Sequence, residues 1–228
     1  MPLGSWVLTQ YWRKLLFAHW ALPPDSVQRL LPPGLKVHTF NGKAYVAVVP
    51  FSMDAVRPRG VPFGVDFLEL NVRTYVEPDG VYFWSLEANS PLAVWGARNF
   101  FHLPYMHARM RMQQSGEWID YQSERTHRDE KPARFRARYR PLPQSYQADE
   151  LATWLTERYC LYTTDRAGAI YRGDIHHVRW PLELAEAEFF ENSMASAAGL
   201  QLPASPPLLH YAREIEVAIW PLRKLRSA

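Results

Sequence analysis

Residues 67–76, FLELNVRTYV, alternate without a break. Leu68, Leu70, Val72, Thr74 and Val76 fall on one side of an extended chain, and Glu69, Asn71, Arg73 and Tyr75 on the other, because successive side chains of a strand point to opposite faces. Similar runs recur with turn chemistry between them. Asn41-Gly42 parts LKVHTF from KAYVAVV, a strong hairpin signal. Pro78-Asp79-Gly80 parts NVRTYV from VYFWSLEA, and Ser115-Gly116 parts HARMRM from EWIDYQSE. Short turns between consecutive strands predict antiparallel pairing. Near the end, Ile215, Val217 and Ile219 alternate with Glu214, Glu216 and Ala218, the pattern of a half-buried strand.

Helical patterns are fewer. PPDSVQRLLPPG allows one short helix closed by Pro32 and Pro33. In SPLAVWGARNFFHLP, Ser90 suits the cap, Pro91 the first turn, and Pro104 disfavours helix at Leu103. DELATWLTERYCLY places Leu151, Leu155, Tyr159 and Tyr162 on one stripe, which predicts a helix. LAEAEFFENSMASAAG predicts another, ending at Gly199.

The one linker candidate, RPLPQSYQADE, is short. Residues 1–228 therefore read as a single α+β domain, mostly antiparallel sheet, strongly curved or closed into a cone or barrel, with a few packed helices. A net charge of +3, from 26 basic and 23 acidic residues, gives no argument for a nucleic-acid partner. Arg13 and Lys14 interrupt the first apolar stretch, and no run approaches the roughly 18–20 apolar residues of a membrane span. The expectation is a soluble, cytoplasmic protein. The single cysteine, Cys160, excludes an intrachain disulfide and argues against a cysteine metal site.

The polar face of residues 69–75 is either wet or the wall of a cavity. Phe63 and Phe67 before it, and Tyr82, Phe83 and Trp84 after it, favour the cavity. The eight histidines show no HExxH spacing, and His19, within FAHWAL, reads as a hydrogen-bonded core histidine. There is no GxSxG elbow and no glycine-rich phosphate loop, so neither a serine nucleophile nor a nucleotide cofactor is expected. Arg134, Arg136, Arg138 and Arg140 share one strand face. Such a face is either a polyanion surface or a solvated one paired with acids, and the absence of a second basic stretch favours the latter.

FAHWALPPDSVQRLLPPGLKVHTFNGKAYVAVVPFSM, FLELNVRTYV and VYFWSLEANSPLAVWGARNFFHLPY together resemble the YqjF-like bacterial family of unknown function. That family in turn resembles the acetoacetate decarboxylase-like superfamily, which implies a closed cone with a polar interior. The decarboxylases use a lysine that forms a Schiff base with a keto acid. Carried over by position, their N-terminal arginine falls on Arg13, one glutamate on Glu69, the other on Tyr45, and an arginine on Arg98. The Schiff-base lysine falls on Tyr105 and its neighbour on Met106. A tyrosine forms no imine, and none of the five lysines (Lys14, Lys36, Lys43, Lys131, Lys224) stands at a motif position.

The resemblance thus implies a pocket for a small organic ligand, a carboxylate or a carbonyl compound, with no cofactor and no metal. Glu69, Tyr105 and Arg98 are the candidate catalytic residues. Arg13, Tyr45, Asn71, Arg73 and Tyr75 are candidate binding residues, with Arg73 either an anion clamp or the structural partner of Glu69. If bonds are broken, a lyase, hydrolase or isomerase reaction by acid–base groups is expected rather than imine chemistry. A non-catalytic sensor using the same pocket, or an interaction protein using the arginine face, are the alternatives, and homo-oligomers stay open.

Overall fold

All three turns form where the sequence puts them, and they organise a sheet of twelve strands in a computed structural model that describes residues 2–225. In chain order the elements are β1 (Leu8–Leu22), α1 (Pro24–Gln28), β2 (Ala44–Pro58), β3 (Val65–Val76), β4 (Gly80–Ala88), α2 (Pro91–Phe100), β5 (Tyr105–Ser115), β6 (Trp118–Arg125), β7 (Arg134–Pro141), α3 (Glu150–Thr156), β8 (Cys160–Thr164), β9 (Ile170–His176), β10 (Glu183–Asn192), α4 (Met194–Ala197), β11 (Leu208–Ile219) and β12 (Arg223–Lys224). Asn41 and Gly42 both take positive φ, 48° and 75°, as a tight two-residue turn requires. LKVHTF pairs less than its pattern predicts, through the isolated bridges Phe40–Lys43 and Val37–Val76.

The sheet closes twice. The order β12-β9-β8-β4-β3-β2-β1-β11-β10-β7-β6-β5 gains the pairings β4–β5 and β9–β11. The first pairing closes a ring of nine strands, and the second a ring of seven. Strands β4, β3, β2, β1 and β11 belong to both rings, so each of their faces looks into a different interior. Along β2, Ala44, Val46 and Val48 pack in the large ring, while Tyr45, Ala47, Val49, Phe51 and Met53 pack in the small one. Ten consecutive residues of β2 are buried as a result. The large ring is filled by Ile119, Tyr121, Phe135 and Tyr139 with residues of α1 and α4. Trp12, Phe17, Trp180 and the apolar residues of α2 and α3 fill the small one.

Pairing is mostly antiparallel, as expected, with β4 parallel to β5 and to β8, while two of the expected helices are corrected. The first of these pairs arises because α2 carries the chain back across the sheet, as a parallel connection needs. The stretch around LAEAEFFEN is strand β10, followed only by the short α4. Its acids lie opposite the arginines of β7, Glu186 beside Arg140 and Glu188 beside Arg138, so tertiary pairing overrides helix-forming composition. Arg138 binds Glu188 at 2.7 Å, Arg140 binds Glu186, and Arg134 binds Glu124 at 3.1 Å. The arginine face is thus solvated and interleaved with acids. Helix α3 stops at Thr156, which leaves Tyr159 and Tyr162 outside it, Tyr162 on β8.

Candidate functional site

A cavity of about 80 Å³ lies inside the small ring. Its walls come from β1 to β5, from β8, β9 and β11, and from the chain on either side of these (Thr156, Arg158, His177 and Trp180). Wider hollows of about 820 and 840 Å³ open on the outside, beside Trp220 and beside α2. The interior one is smaller, yet it is where buried polar groups converge, the usual mark of a site.

Strand β3 supplies the polar row. Leu70, Val72 and Val76 enter the large core, which turns Glu69, Asn71 and Arg73 into the cavity. The Tyr121 hydroxyl, rising from the large ring, sits between the carbonyls of Glu69 at 2.8 Å and Phe51 at 3.1 Å and fixes the backbone there. Glu69 is only 3% exposed. One oxygen accepts the Tyr105 hydroxyl and the other accepts Asn71 Nδ2 at 3.2 Å. Burial pushes the Glu69 carboxyl up to about 7, against the lowering effect of these two hydrogen bonds. The Tyr105 phenol is pushed far up, first by burial and then by the carboxylate beside it.

Tyr105 is delivered by α2. Ser90 caps that helix by accepting Ala93 N–H at 3.3 Å, and Arg98 in its last turn donates to the Tyr105 carbonyl at 2.8 Å. Arg98 therefore holds β5 in place from an exposed position and does not line the cavity. Arg13 is likewise outside: on β1 its neighbour Trp12 points in, and Arg13 points out to Asp54 at 2.8 Å and to Glu214. A one-residue change of parity on a strand moves a side chain to the other face. Tyr45 and Tyr75 share the small core but stand behind the cavity wall, both against Trp154. The Tyr75 hydroxyl is bonded to His19 Nε2 at 2.6 Å, so His19 is the hydrogen-bonded core histidine that FAHWAL predicts. No ion pair forms between Arg73 and Glu69, which leaves Arg73 a buried cation with its Nε unpartnered.

Arg158 is the residue that sequence reasoning misses. It follows α3, is 6% exposed, and lines the cavity. An arginine inside the apolar-rich run TERYCLY was the available signal. Trp12 and Trp180, stacked 5.9 Å apart, form an aromatic wall. The cavity lining contains no lysine. Cys160 is buried, its thiol pushed up to about 12 mainly by desolvation, as an inert cysteine would be. Among the described residues no group of His, Cys, Asp and Glu is placed to hold a metal ion, and no helix is long and apolar enough to cross a membrane.

The profile of the DUF2071 family, described as uncharacterized conserved proteins, matches residues 9–216. The uncharacterized protein YqjF of Bacillus subtilis (strain 168) is 46% identical over 232 residues, covering 98% of this chain and 95% of its own. Among solved structures, acetoacetate decarboxylase from Legionella pneumophila aligns with a TM-score of 0.68 at 12% identity, over 99% of this chain and 92% of its own. The enduracididine biosynthesis enzyme MppR, complexed with pyruvate, aligns at 0.64 and 11% identity, over 98% and 92% of the two chains. These likenesses establish an acetoacetate decarboxylase-like fold, and the sequence match establishes that the chain belongs to the YqjF-like DUF2071 family.

Proposed function

We propose that the small-ring cavity binds a small carbonyl compound and that Glu69 and Tyr105 move a proton on it. The observation that carries this reading is a carboxyl sealed inside a cavity, bonded to a phenol and, among the described residues, in no ion pair, which burial moves up to about 7. A general base works best when its pKa lies near the working pH. Ionised Glu69 removes a proton from the carbon beside the carbonyl, and the electron pair of that C–H bond moves toward the carbonyl oxygen. Once Glu69 carries the proton it accepts the Tyr105 hydrogen less strongly, and the phenol turns to donate to the developing enolate oxygen. The reverse steps return the proton. No imine is involved, since the lining carries no lysine.

The test is solvent deuterium exchange into acetone, acetoacetate and pyruvate, followed by proton NMR. Exchange above the buffer rate, lost in Glu69→Gln, is the expected result. Borohydride treatment in the presence of acetoacetate should leave the protein mass unchanged, and a lysine adduct would overturn the mechanism. A non-catalytic sensor is favoured by one fact: both Glu69 oxygens already accept hydrogen bonds from within the protein. That reading predicts a raised melting temperature with these compounds and no exchange.

A further inference from the structure

We propose that Arg73 and Arg158 form a subsite for the carboxylate of a small monocarboxylic acid, so that the ligand of the cavity is an acid. This assignment deepens the ligand-binding reading above and rests on it. Arg73 is 8% exposed and Arg158 6%. Neither has a carboxylate partner among the described residues, whereas Arg125, the buried arginine of the large ring, is paired with Glu87 at 2.5 Å. A buried guanidinium without a counter-charge is costly, and here two share one cavity.

Unpartnered atoms point the same way. Nine buried side-chain polar atoms of the described residues lack a hydrogen bond, and five of them belong to residues that line this cavity. Four are donors: Arg73 Nε, Arg158 Nη2, Trp12 Nε1 and Trp180 Nε1. One, Asn71 Oδ1, is an acceptor. Buried polar groups are normally satisfied, so the missing partner is rich in acceptors.

Both guanidinium groups are also held in place. Arg73 lies over the Phe17 ring at 5.2 Å. Arg158 lies over Trp154 at 4.3 Å and Tyr75 at 5.1 Å, donates Nε to the Trp154 carbonyl at 2.7 Å, and has Nη1 at 3.3 Å from His38 Nδ1. Its Nη2 is the corner left unused. Fixed, planar donors of this kind suit a carboxylate.

Charge sets the valence of the ligand. The cavity lining holds two arginines and one acid, Glu69, so the ionised site carries one uncompensated positive charge. Asp79, the other acid near Arg158, is 59% exposed and lies 3.5 Å from Arg172. One carboxylate restores neutrality, and two would overshoot. The volume of about 80 Å³ limits that acid to roughly three or four carbons.

Calorimetric titration of the full chain with propionate, pyruvate, propionamide and malonate tests the assignment. Propionate and pyruvate should bind at least tenfold more tightly than propionamide and malonate. Arg73→Met and Arg158→Gln should each remove the preference for acid over amide. Because Arg73→Met deletes an unpaired buried charge, it should melt no lower than wild type, and a fall in its melting temperature would mark Arg73 as structural and overturn its role. Equal affinity for acid and amide, a preference for malonate, or an unchanged preference in Arg158→Gln would each overturn the subsite while leaving the cavity a ligand site. If none of the four compounds binds the wild type, the ligand-binding reading falls together with it.

Discussion

Glu69 and Glu87 stand on adjacent strands, both are nearly sealed from solvent, and they look into different rings. In the large ring, Glu87 receives two guanidinium nitrogens of Arg125 and the Ser85 hydroxyl, and Arg125 spends a third nitrogen on the Lys131 carbonyl. In the small ring, Glu69 has a phenol and an amide, and the nearby Arg73 is left without an ion pair. The same residue types are thus closed off in one compartment and left open in the other. A complete buried network specifies structure, while an incomplete one calls for an explanation, which the proposed ligand would supply.

The sharpest way to break this comparison is to open the closed network. Arg125→Leu strands Glu87 as a lone buried carboxylate, and urea unfolding should show a loss of about 3–5 kcal/mol. The double variant Arg125→Leu/Glu87→Gln should recover much of it. If the single variant costs little, the large-ring pair is no more structural than the small-ring site.

Next in size is Glu69→Gln. Around the carboxyl stand Tyr105 from β5, Asn71 and Arg73 from β3, and Glu87 from β4. Burial raises the folded-state value from 4.5 to about 7, so the folded chain holds a proton that the unfolded chain has released between those values. The stability owed to this group is full below about pH 4.5 and lost as the pH rises through 7, by about 3 kcal/mol at one pKa unit per 1.36 kcal/mol. Glu69→Gln should therefore match wild type near pH 4 and exceed it near pH 8 in urea midpoints. Parallel profiles at the two pH values would count against a poised Glu69.

A smaller effect is expected of Tyr105→Phe. It removes the donor to one Glu69 oxygen, costs about 1 kcal/mol of stability above pH 7, and moves the carboxyl further up from about 7, as carbon NMR of the labelled side chain can read. Deuterium exchange should fall with it. An unmoved carboxyl signal would show that the phenol does not tune Glu69. Smallest of all, Arg138→Ala breaks a solvent-exposed pair with Glu188 and a contact of the guanidinium with the Trp118 ring at 4.7 Å, and should lower stability by about 1 kcal/mol or less in urea unfolding.

Much of the local structure was legible. Asn41-Gly42, Pro78-Asp79-Gly80 and Ser115-Gly116 turn the chain, Ser90 caps α2, and the alternation around Glu69 marks β3. Those signals are carried by residues close together. Closure is not: β1 pairs with β11 about two hundred residues away, and nothing in either strand alone announces that both of its faces will be covered. For the same reason the helix-forming alanines and glutamates around residue 186 mislead, since the arginines that hold them extended lie on β7. At the site, Glu69, Asn71, Arg73 and Tyr105 could be named from one alternating strand and one resemblance. Arg158 lies just past a helix end, where no periodicity applies, and Arg13 and Arg98 turn outward on elements whose neighbours turn inward.

Because five strands are common to both rings, the cavity and the large core are rooms on either side of one partition. Glu69 and Leu70 are consecutive residues facing opposite rooms, and the Tyr121 hydroxyl bolts the partition at that point. The cavity cannot widen without the far room giving way. The volume of the cavity is therefore set in part by packing around Leu70, Val72 and Tyr121, side chains that do not line it, and under the reading proposed above substitutions there would change the ligand size admitted while leaving every lining residue untouched.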